Sequence, residues 1–340
     1  MKPSSESGAT PDESTCRILN IGCEMDESAD VLLALAVANP VQLTSREVRR
    51  YQCDTLDAPA LTALLRQCIT AKVPAVLTGC VAHWPALRRW DDVYLRRVLS
   101  DAPVHVAQTP DGLADAIATL PSGERVFAKP FETVMPFSIF ACELCTPLMD
   151  EDGVQRRPVL YASHQNSSLS DEYRPLWDDL DLSLEWADEA FGKKPTAVNF
   201  WMGEDAARTS VHADLFDNLY VVVRGEKCFT LLPPQEGQLL RREPVRAATY
   251  VPVPNSRGKS PSVGLELQVD DDAEAVVYWA TVALDSEDAA PLQPMRAVLG
   301  PGELLVLPSL WWHHVSQRAR SDDGGRCSAT VAVNYWYDNG

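Results

Sequence analysis

Apolar residues in the N-terminal third of the chain recur mainly with helical spacing. From residue 57 onward they follow at intervals of three and four, with a proline in the first turn, which predicts a helix with one buried face. The positions on that face are Leu61, Leu64, Leu65, Cys68 and Ile69. Less regular patterns predict helices over residues 30–38, 44–52 and 113–120.

A few short strand patterns occur in this part of the chain, and strand patterns dominate the C-terminal half. Short apolar runs predict strands at 73–77, 103–107 and 159–162, and residues 171–191 have the pattern of helix and loop. The predicted order over residues 199–232 is strand, loop, strand, tight turn and strand. Further strands are predicted at 302–308 and, after a turn at 322–325, at 329–336. Because Pro, Arg and Asp interrupt residues 233–294, we expect an elaborated loop region there, with one strand near 275–279.

This distribution predicts a mainly β fold, a barrel or sandwich with helical decoration. We expect three parts. Residues 1–26, rich in Ser, Glu and Asp, form a disordered acidic tail. Residues 27–130 form a helical and strand region that packs on the barrel, and residues 131–340 form the barrel.

Composition narrows the possible partners and the compartment. The formal charge of −18 argues against nucleic acid or an anionic membrane as partner, because both require a basic surface, whereas a basic protein is compatible. The nine cysteines are scattered and odd in number, which favours reduced thiols. No apolar secretory segment precedes the fold, so we expect a cytoplasmic or nuclear protein. An isolated CxxC, Cys142 and Cys145, is interpreted as two cysteines one turn apart on a helix and is given no function.

The candidate chemistry is centred on His212 and Asp214. They are two residues apart in an extended segment, so their side chains point to the same side. Such a pair is often a hydrogen-bonded core feature, but with a second histidine it forms the 2-His-1-carboxylate group that binds non-haem iron. We expect His83, His105 and His164 to lie outside paired strands or next to no second ligand. The candidates for the third ligand are then His313 and His314.

Lys227 is the second unusual feature. It begins an apolar hairpin strand just after a tight turn. If it faces the interior, its ammonium requires an anionic ligand, since an unpaired buried charge costs several kcal/mol. The alternative is a lysine at a hairpin end that reaches water.

Together these residues resemble the jumonji-C family of iron(II) and 2-oxoglutarate oxygenases. The hydroxylase branch of that family has Thr, then His-x-Asp three residues on, then Asn six and Lys fifteen residues after the histidine. The matching residues here are Thr209, His212, Asp214, Asn218 and Lys227. The distal Trp-His-His-Val motif is also present, and its first histidine is the family's ligand, which assigns His313. The match continues through most of the chain after the tail and is closest to the family's protein lysyl hydroxylases.

The resemblance implies a fold, a cofactor set and site residues. The fold is a double-stranded β-helix, a cupin-like jelly-roll barrel with N-terminal helices. Iron(II) is bound by His212, Asp214 and His313, which are also the catalytic residues. The residues implied for the 2-oxoglutarate pocket are Tyr161, Thr209, Asn218, Tyr220, Lys227, Asn334 and Trp336. Molecular oxygen is the oxidant, and ascorbate serves as reductant in vitro.

The implied reaction hydroxylates a lysine side chain of a protein, and the family's known targets are developmentally regulated GTP-binding proteins. Succinate and carbon dioxide are the coproducts. Two departures from the pattern bear on the substrate: Ser163 stands where related hydroxylases carry Gln, and residues 233–294 match poorly. An N-methyl-lysine demethylase with the same iron chemistry and a non-catalytic cupin-like binding module remain as alternatives. A homodimer, if formed, is expected to use the N-terminal helices.

Overall fold

The computed structural model describes residues 38, 40–43, 45–165, 167–253, 264–271, 276–284, 286–319 and 329–338. The predicted tail, the turn at 322–325 and all of the predicted helix at 30–38 except its last residue lie outside the described residues. None of the helices in the described ranges is long and apolar enough to span a bilayer.

Strands make up most of the regular structure. In chain order they are β1 (Arg49–Gln52), β2 (Ala75–Thr78), β3 (Pro103–Thr109), β4 (Leu113–Ala114), β5 (Ala116–Thr119), β6 (Arg125–Lys129), β7 (Phe131–Pro136), β8 (Val159–Ala162), β9 (Ala197–Gly203), β10 (Arg208–His212), β11 (Asp217–Arg224), β12 (Glu226–Leu232), β13 (Arg242–Pro252), β14 (Leu265–Val269), β15 (Val276–Ala280), β16 (Met295–Leu299), β17 (Glu303–Leu307), β18 (Trp312–Arg318) and β19 (Thr330–Tyr337). The helices are α1 (Ala58–Ala71), α2 (Ala86–Arg89), α3 (Asp92–Leu99), α4 (Phe137–Leu144), α5 (Ser168–Asp171) and α6 (Glu185–Phe191). Within the described residues, 3₁₀ segments span Arg174–Asp179, Pro234–Leu240 and Glu287–Leu292.

Across the described residues these strands form three sheets. The largest has nine strands in the order β1-β2-β17-β11-β19-β9-β8-β3-β7, and the second has the order β16-β12-β18-β10-β4. The third has the order β14-β13-β6-β5, with β15 paired to β13. One apolar cluster joins Tyr220 and Val222 of the first sheet to Phe229 and Leu231 of the second, so these two sheets face each other. The predicted mainly β jelly-roll barrel is confirmed.

The β11 strand shows why the largest sheet forms the centre of the molecule. Tyr220 and Val222 face the second sheet. The alternate residues Leu219, Val221 and Val223 belong to a cluster on the other face, which includes residues of the helices. A strand covered on both faces is a continuous apolar run rather than an alternating one. Each fully buried Val or Leu contributes roughly 1.5–3 kcal/mol, which holds this strand rigidly beside the cavity described below.

The α1 helix follows the sequence prediction. The Asp57 side chain accepts a hydrogen bond from the Ala60 amide at 3.0 Å, which caps the N-terminus. Lys72 ends the helix in the left-handed conformation, with φ +51°. Leu61, Leu65 and Cys68 of the predicted face are buried, while the other two predicted positions are half-buried.

Two predicted helices are wrong. Within 44–52, Arg49–Gln52 forms β1, which pairs in parallel with β2. Residues 113–120 form β4 and β5 instead of a helix, separated by Asp115 with φ +52°. In each case pairing with a strand distant in sequence outweighs a weak local helix preference.

The prediction for residues 233–294 is wrong in part. Val276–Ala280 matches the single strand expected there, but β13 and β14 are additional strands. Proline at residue 244 interrupts the strand pattern in the sequence, yet β13 pairs with β15 on either side of it, from Arg242 to Arg246. Residues 199–232 also contain one strand more than predicted, because β10 occupies part of the expected loop.

Candidate active site

Three side chains converge where β10 and β18 meet. His212 is the last residue of β10 and pairs with His313 of β18 in antiparallel register, while Asp214 lies just beyond β10. The Nε2 atoms of His212 and His313 each lie 3.7 Å from an oxygen of the Asp214 carboxylate. Candidate ligand atoms of all three residues lie within 4.8 Å of one another, which is compatible with a single bound metal ion.

Backbone carbonyl groups fix the orientation of both imidazole rings. The His212 Nδ1 atom lies 2.8 Å from the Ser210 carbonyl oxygen, and the His313 Nδ1 atom lies 2.9 Å from that of Trp311. A carbonyl oxygen accepts but does not donate, so each Nδ1 carries the proton and each Nε2 has a free lone pair. This is the arrangement by which proteins prepare histidines as metal ligands.

The electrostatics of the group favour a cation. Burial lowers the pKa of His313 well below its ordinary value, and the neighbouring His212 adds to the effect. Burial also raises the pKa of Asp214, and a positive charge on His212 opposes that shift. A neutral imidazole and a carboxylate removed from water would both be stabilised by a bound metal ion.

His314 takes no part in this group. Side chains alternate along β18, and His314 is paired with Thr230 of β12 while His313 is paired with Leu231. Of the two candidates in the Trp-His-His-Val motif, the geometry therefore places His313 beside Asp214.

A cavity of about 220 Å³ opens on the three ligands. Five of the residues predicted for the 2-oxoglutarate pocket line it, namely Tyr161, Thr209, Asn218, Tyr220 and Trp336. They are contributed by strands of both facing sheets, and Ser163, one of the departures noted above, also lines the cavity. Lys227 and Asn334 lie behind these lining residues.

Lys227 faces the interior. Its side chain is 1% exposed, and Nζ donates hydrogen bonds to the Tyr161 hydroxyl at 2.9 Å and to Oε1 of Gln317. Nζ also lies 5.0 Å and 5.9 Å from the ring centroids of Tyr161 and Tyr220. All these partners are neutral, and Lys227 forms no ion pair with any described residue. Burial lowers the pKa of Lys227 to about 7.

Asn334 is the centre of a hydrogen-bond network behind the cavity wall. It is fully buried, its Nδ2 donates to Oδ1 of Asn218 at 3.0 Å, and its Oδ1 accepts from Trp201 Nε1 at 2.8 Å and Asn199 Nδ2 at 3.2 Å. This network fixes the amide orientation of Asn218 in the cavity wall.

The indole N–H of Trp336 is buried and has no acceptor among the described residues. The ring lines the cavity and stacks on Phe216, with ring centroids 5.5 Å apart and an interplanar angle of 14°. A buried donor without an acceptor is costly, so an oxygen-bearing ligand in the cavity would satisfy it.

Gln317 and Trp201 belong to this site, although the sequence motifs do not identify them. Gln317 bridges Lys227 and the Glu204 carbonyl, and Trp201 both lines the cavity and donates to Asn334. The alternation of β18 could have identified Gln317, since it lies on the same face as His313 and Val315.

The expectation for His105 and His164 is wrong. His105 lies in β3, which is paired on both sides, and its Nδ1 is 3.0 Å from Oε1 of Glu172. His164 Nδ1 contacts the same carboxylate oxygen, and the two rings stack with centroids 4.2 Å apart. Glu172 also accepts from the His105 amide at 2.8 Å, so the cluster holds His164 in the cavity wall. His83, in contrast, contacts Asp181 at 2.7 Å and is not part of the cavity lining.

The residues of this site fit iron(II) and 2-oxoglutarate. Two imidazole nitrogens and one carboxylate oxygen match the facial set of non-haem iron, and Asp214 supplies the negative charge. The ammonium of Lys227, which has only neutral partners, and the unsatisfied Trp336 N–H match the oxygens of a dicarboxylate.

Comparison with known proteins agrees with this chemistry. Residues 61–340 match the family model described as a cupin-like domain. JmjC domain-containing protein E of Dictyostelium discoideum is 33% identical over 92% of this chain and 90% of its own length. The human bifunctional peptidase and (3S)-lysyl hydroxylase JMJD7 is 37% identical over 78% of this chain and 77% of its own. Lysine-specific demethylase JMJ32 of Arabidopsis thaliana is 34% identical over 89% of this chain and 87% of its own.

JmjC enzymes are iron(II) and 2-oxoglutarate-dependent oxygenases, and this chain has a His-Asp-His group that could hold a metal ion. The family model spans most of the chain, and the three relatives, each more than 30% identical, match over 77–90% of their own length. The chain belongs to the cupin-like family of JmjC-domain proteins.

Proposed function

We propose that this protein is an iron(II)- and 2-oxoglutarate-dependent protein hydroxylase that acts on a lysine side chain, with a developmentally regulated GTP-binding protein as substrate. The observation that carries the cosubstrate assignment is Lys227, a buried ammonium with neutral partners beside the His-Asp-His group. The support for lysine as target is the 37% identity to a relative named as a lysyl hydroxylase.

The site residues have separate tasks. His212, Asp214 and His313 hold the iron, and their backbone hydrogen bonds keep both Nε2 atoms available for it. Lys227, with the hydroxyl groups of Tyr161 and Thr209, binds the far carboxylate of 2-oxoglutarate. Asn218, Tyr220, Asn334 and Trp336 shape and orient that pocket.

Bound iron and 2-oxoglutarate supply the oxidising chemistry, by which oxygen converts a substrate C–H bond to C–OH with succinate and carbon dioxide as coproducts. The chain itself contributes ligand geometry, a largely apolar setting and placement of the substrate carbon. The aromatic rings of Tyr220, Phe229 and Trp336 line the cavity and would limit the access of water to a bound metal ion.

Demethylation of an N-methyl-lysine is the second candidate, because a relative 34% identical is named as a lysine-specific demethylase. The two reactions share the cosubstrate but differ in the mass of the product. Hydroxylation adds one oxygen atom, whereas demethylation removes one methylene.

The test is succinate formation by purified protein with iron(II), ascorbate and 2-oxoglutarate, with and without lysine peptides from a GTP-binding protein, followed by intact peptide mass. Peptide-stimulated succinate with a gain of one oxygen supports the hydroxylase. Loss of a methylene from a methylated peptide selects the demethylase. No succinate and no retained iron would favour a non-catalytic binding module.

A further inference from the structure

Asp115 brings a negative charge into the cavity wall at a place separate from Lys227. Asp115 lies between β4 and β5, beside β10, whereas Lys227 lies in β12 and contacts the rings of Tyr161 and Tyr220. The charged or titratable neighbours that affect the pKa of Asp115 are His212, Glu132 and Lys129. Asp115 and Glu132 both line the cavity. Carboxylates therefore line one part of the cavity, whereas the Lys227 ammonium lies behind the lining residues Tyr161 and Tyr220 in another.

The backbone of Asp115 is anchored to the strand that carries His212. Residues Leu113 and Ala114 pair in parallel with β10, and the Ser210 hydroxyl donates a hydrogen bond to the Asp115 carbonyl oxygen. Ser210 Oγ in turn accepts from Trp279 Nε1 at 3.1 Å. The β4–β10 pairing and the hydrogen bond from Ser210 together hold Asp115 in its left-handed conformation between β4 and β5. Its position is therefore fixed before any ligand binds.

The carboxylate of Asp115 forms no hydrogen bond or ion pair with any described residue. The nearby Lys129 is paired with Asp270 at 2.6 Å, and Arg208, which lines the cavity, has an interaction of its own. Asp115 is half-buried, and the partial removal of its carboxylate from water raises its pKa to about 6, a shift that the neighbouring His212 opposes. The shift reflects the cost of removing water from the carboxylate. A positively charged ligand group would remove that cost.

Asp115 is also placed outside the metal ligands. The set of mutually close ligand atoms contains His212, Asp214 and His313, and Asp115 does not belong to it. Its carboxylate thus borders the space beside the metal group and is available to a molecule in the cavity.

We propose that Asp115 binds the cationic end of the substrate side chain and thereby selects lysine. This inference rests on the proposed hydroxylase function and names the residue that recognises its substrate. Glu132, exposed at the cavity edge, adds negative charge along the approach. A carboxylate accepts hydrogen bonds from an unmethylated ammonium, whereas a trimethylated one has no N–H to donate. Recognition by Asp115 therefore favours unmodified lysine.

The test measures binding beside the metal and needs no turnover or known peptide. Protein loaded with manganese(II) and 2-oxoglutarate is mixed with n-butylammonium, which reproduces the end of a lysine side chain, or with n-butanol, its neutral isostere. Paramagnetic relaxation of the probe protons by manganese reports residence in the cavity. We expect roughly tenfold greater relaxation for n-butylammonium than for n-butanol, in line with a hydrogen bond between charged groups.

The variant is Asp115→Asn, which keeps the side-chain size, and Asn readily adopts the left-handed conformation. In this variant we expect the ratio of the two probes to fall to about one, by loss of the same charge-assisted hydrogen bond. The matched control, Asp178→Asn, removes the same charge from an exposed residue outside the cavity lining and should keep the wild-type ratio.

A wild-type ratio near one, or an unchanged ratio in Asp115→Asn, would overturn the inference, and the first of these results does not depend on any variant folding. Because the measurement is independent of catalysis, its failure is distinct from failure of the hydroxylase proposal. An enzyme that oxidises lysine peptides but shows no preference for n-butylammonium would retain the proposed function and lose the role of Asp115.

Discussion

The protonation of Lys227 couples cosubstrate binding to pH. Its pKa is lowered from 10.5 to about 7 by burial. A change of this size corresponds to about 5 kcal/mol, at roughly 1.4 kcal/mol for a tenfold change in the ionisation constant. Because the unfolded chain binds the proton more tightly, burial of Lys227 lowers the free energy of unfolding of the ligand-free protein. This loss of stability is fully present below pH 7 and disappears as the pH rises from about 7 towards 10.5.

A dicarboxylate that pairs with the ammonium reverses this effect, since it stabilises the charged form. Above pH 7, binding of 2-oxoglutarate should then be accompanied by uptake of a proton by Lys227. We expect the dissociation constant to rise roughly tenfold per pH unit above pH 7 and to change little below it. Lys227→Met should weaken binding by 2–5 kcal/mol, roughly 30-fold to several-thousand-fold, and abolish the pH dependence.

The assay is calorimetric titration of 2-oxoglutarate into manganese-loaded protein at pH 6.5, 7.5 and 8.5 in buffers of different ionisation enthalpy, which gives affinity and proton uptake together. Lys193→Met, at an exposed lysine, is the matched control and should behave as wild type. A dissociation constant that does not change with pH, or a pH dependence that persists in Lys227→Met, would refute the reasoning.

Four further outcomes follow from the same contacts. His212→Ala should lose bound metal and keep the fold, as measured by metal analysis and circular dichroism; retained turnover would contradict the ligand assignment. Trp336→Phe removes a donor without an acceptor, so 2-oxoglutarate affinity should fall roughly tenfold with an unchanged denaturation midpoint. Asn334→Leu leaves several buried partners unsatisfied and should cost about 2–4 kcal/mol in urea unfolding, whereas a cost below 1 kcal/mol would show that the network is dispensable. The hydrogen bond to Glu172 raises the pKa of His164, so Glu172→Gln should lower that pKa, and an NMR titration of the ring protons measures the shift. In the wild type this contact adds stability at acidic pH that is lost as the pH rises through the raised pKa, and the variant should lack this contribution.

The sequence was most informative where a strand is buried on both faces and where ligand residues are separated by a fixed number of positions. The apolar runs that became β11 and β17 are continuous because both faces are buried, and His212 and Asp214 share a side because of the two-residue period of an extended chain. The helical face of α1 was similarly clear, since its period of 3.6 persists over four turns.

The failures occurred where pairing partners lie far apart in sequence. Residues 113–120 have a helical local pattern, but their partners in β10 and β6 determine the outcome. His105 and Glu172 are 67 residues apart, and no local pattern indicates their hydrogen bond. The position of Asp115 in the cavity wall is unpredictable for the same reason, because it depends on β4 and β5, which lie where the local pattern predicts a helix.

The distribution of strands among the sheets has a practical consequence for dissecting the protein. A fragment beginning at residue 131 would contain every predicted iron and 2-oxoglutarate residue. It would nevertheless lose β4, which pairs with β10, and β2, which pairs with β17. Unpaired sheet edges invite association with other chains. Such a fragment is expected to aggregate on expression, even though nothing in its list of ligands would suggest that it is incomplete.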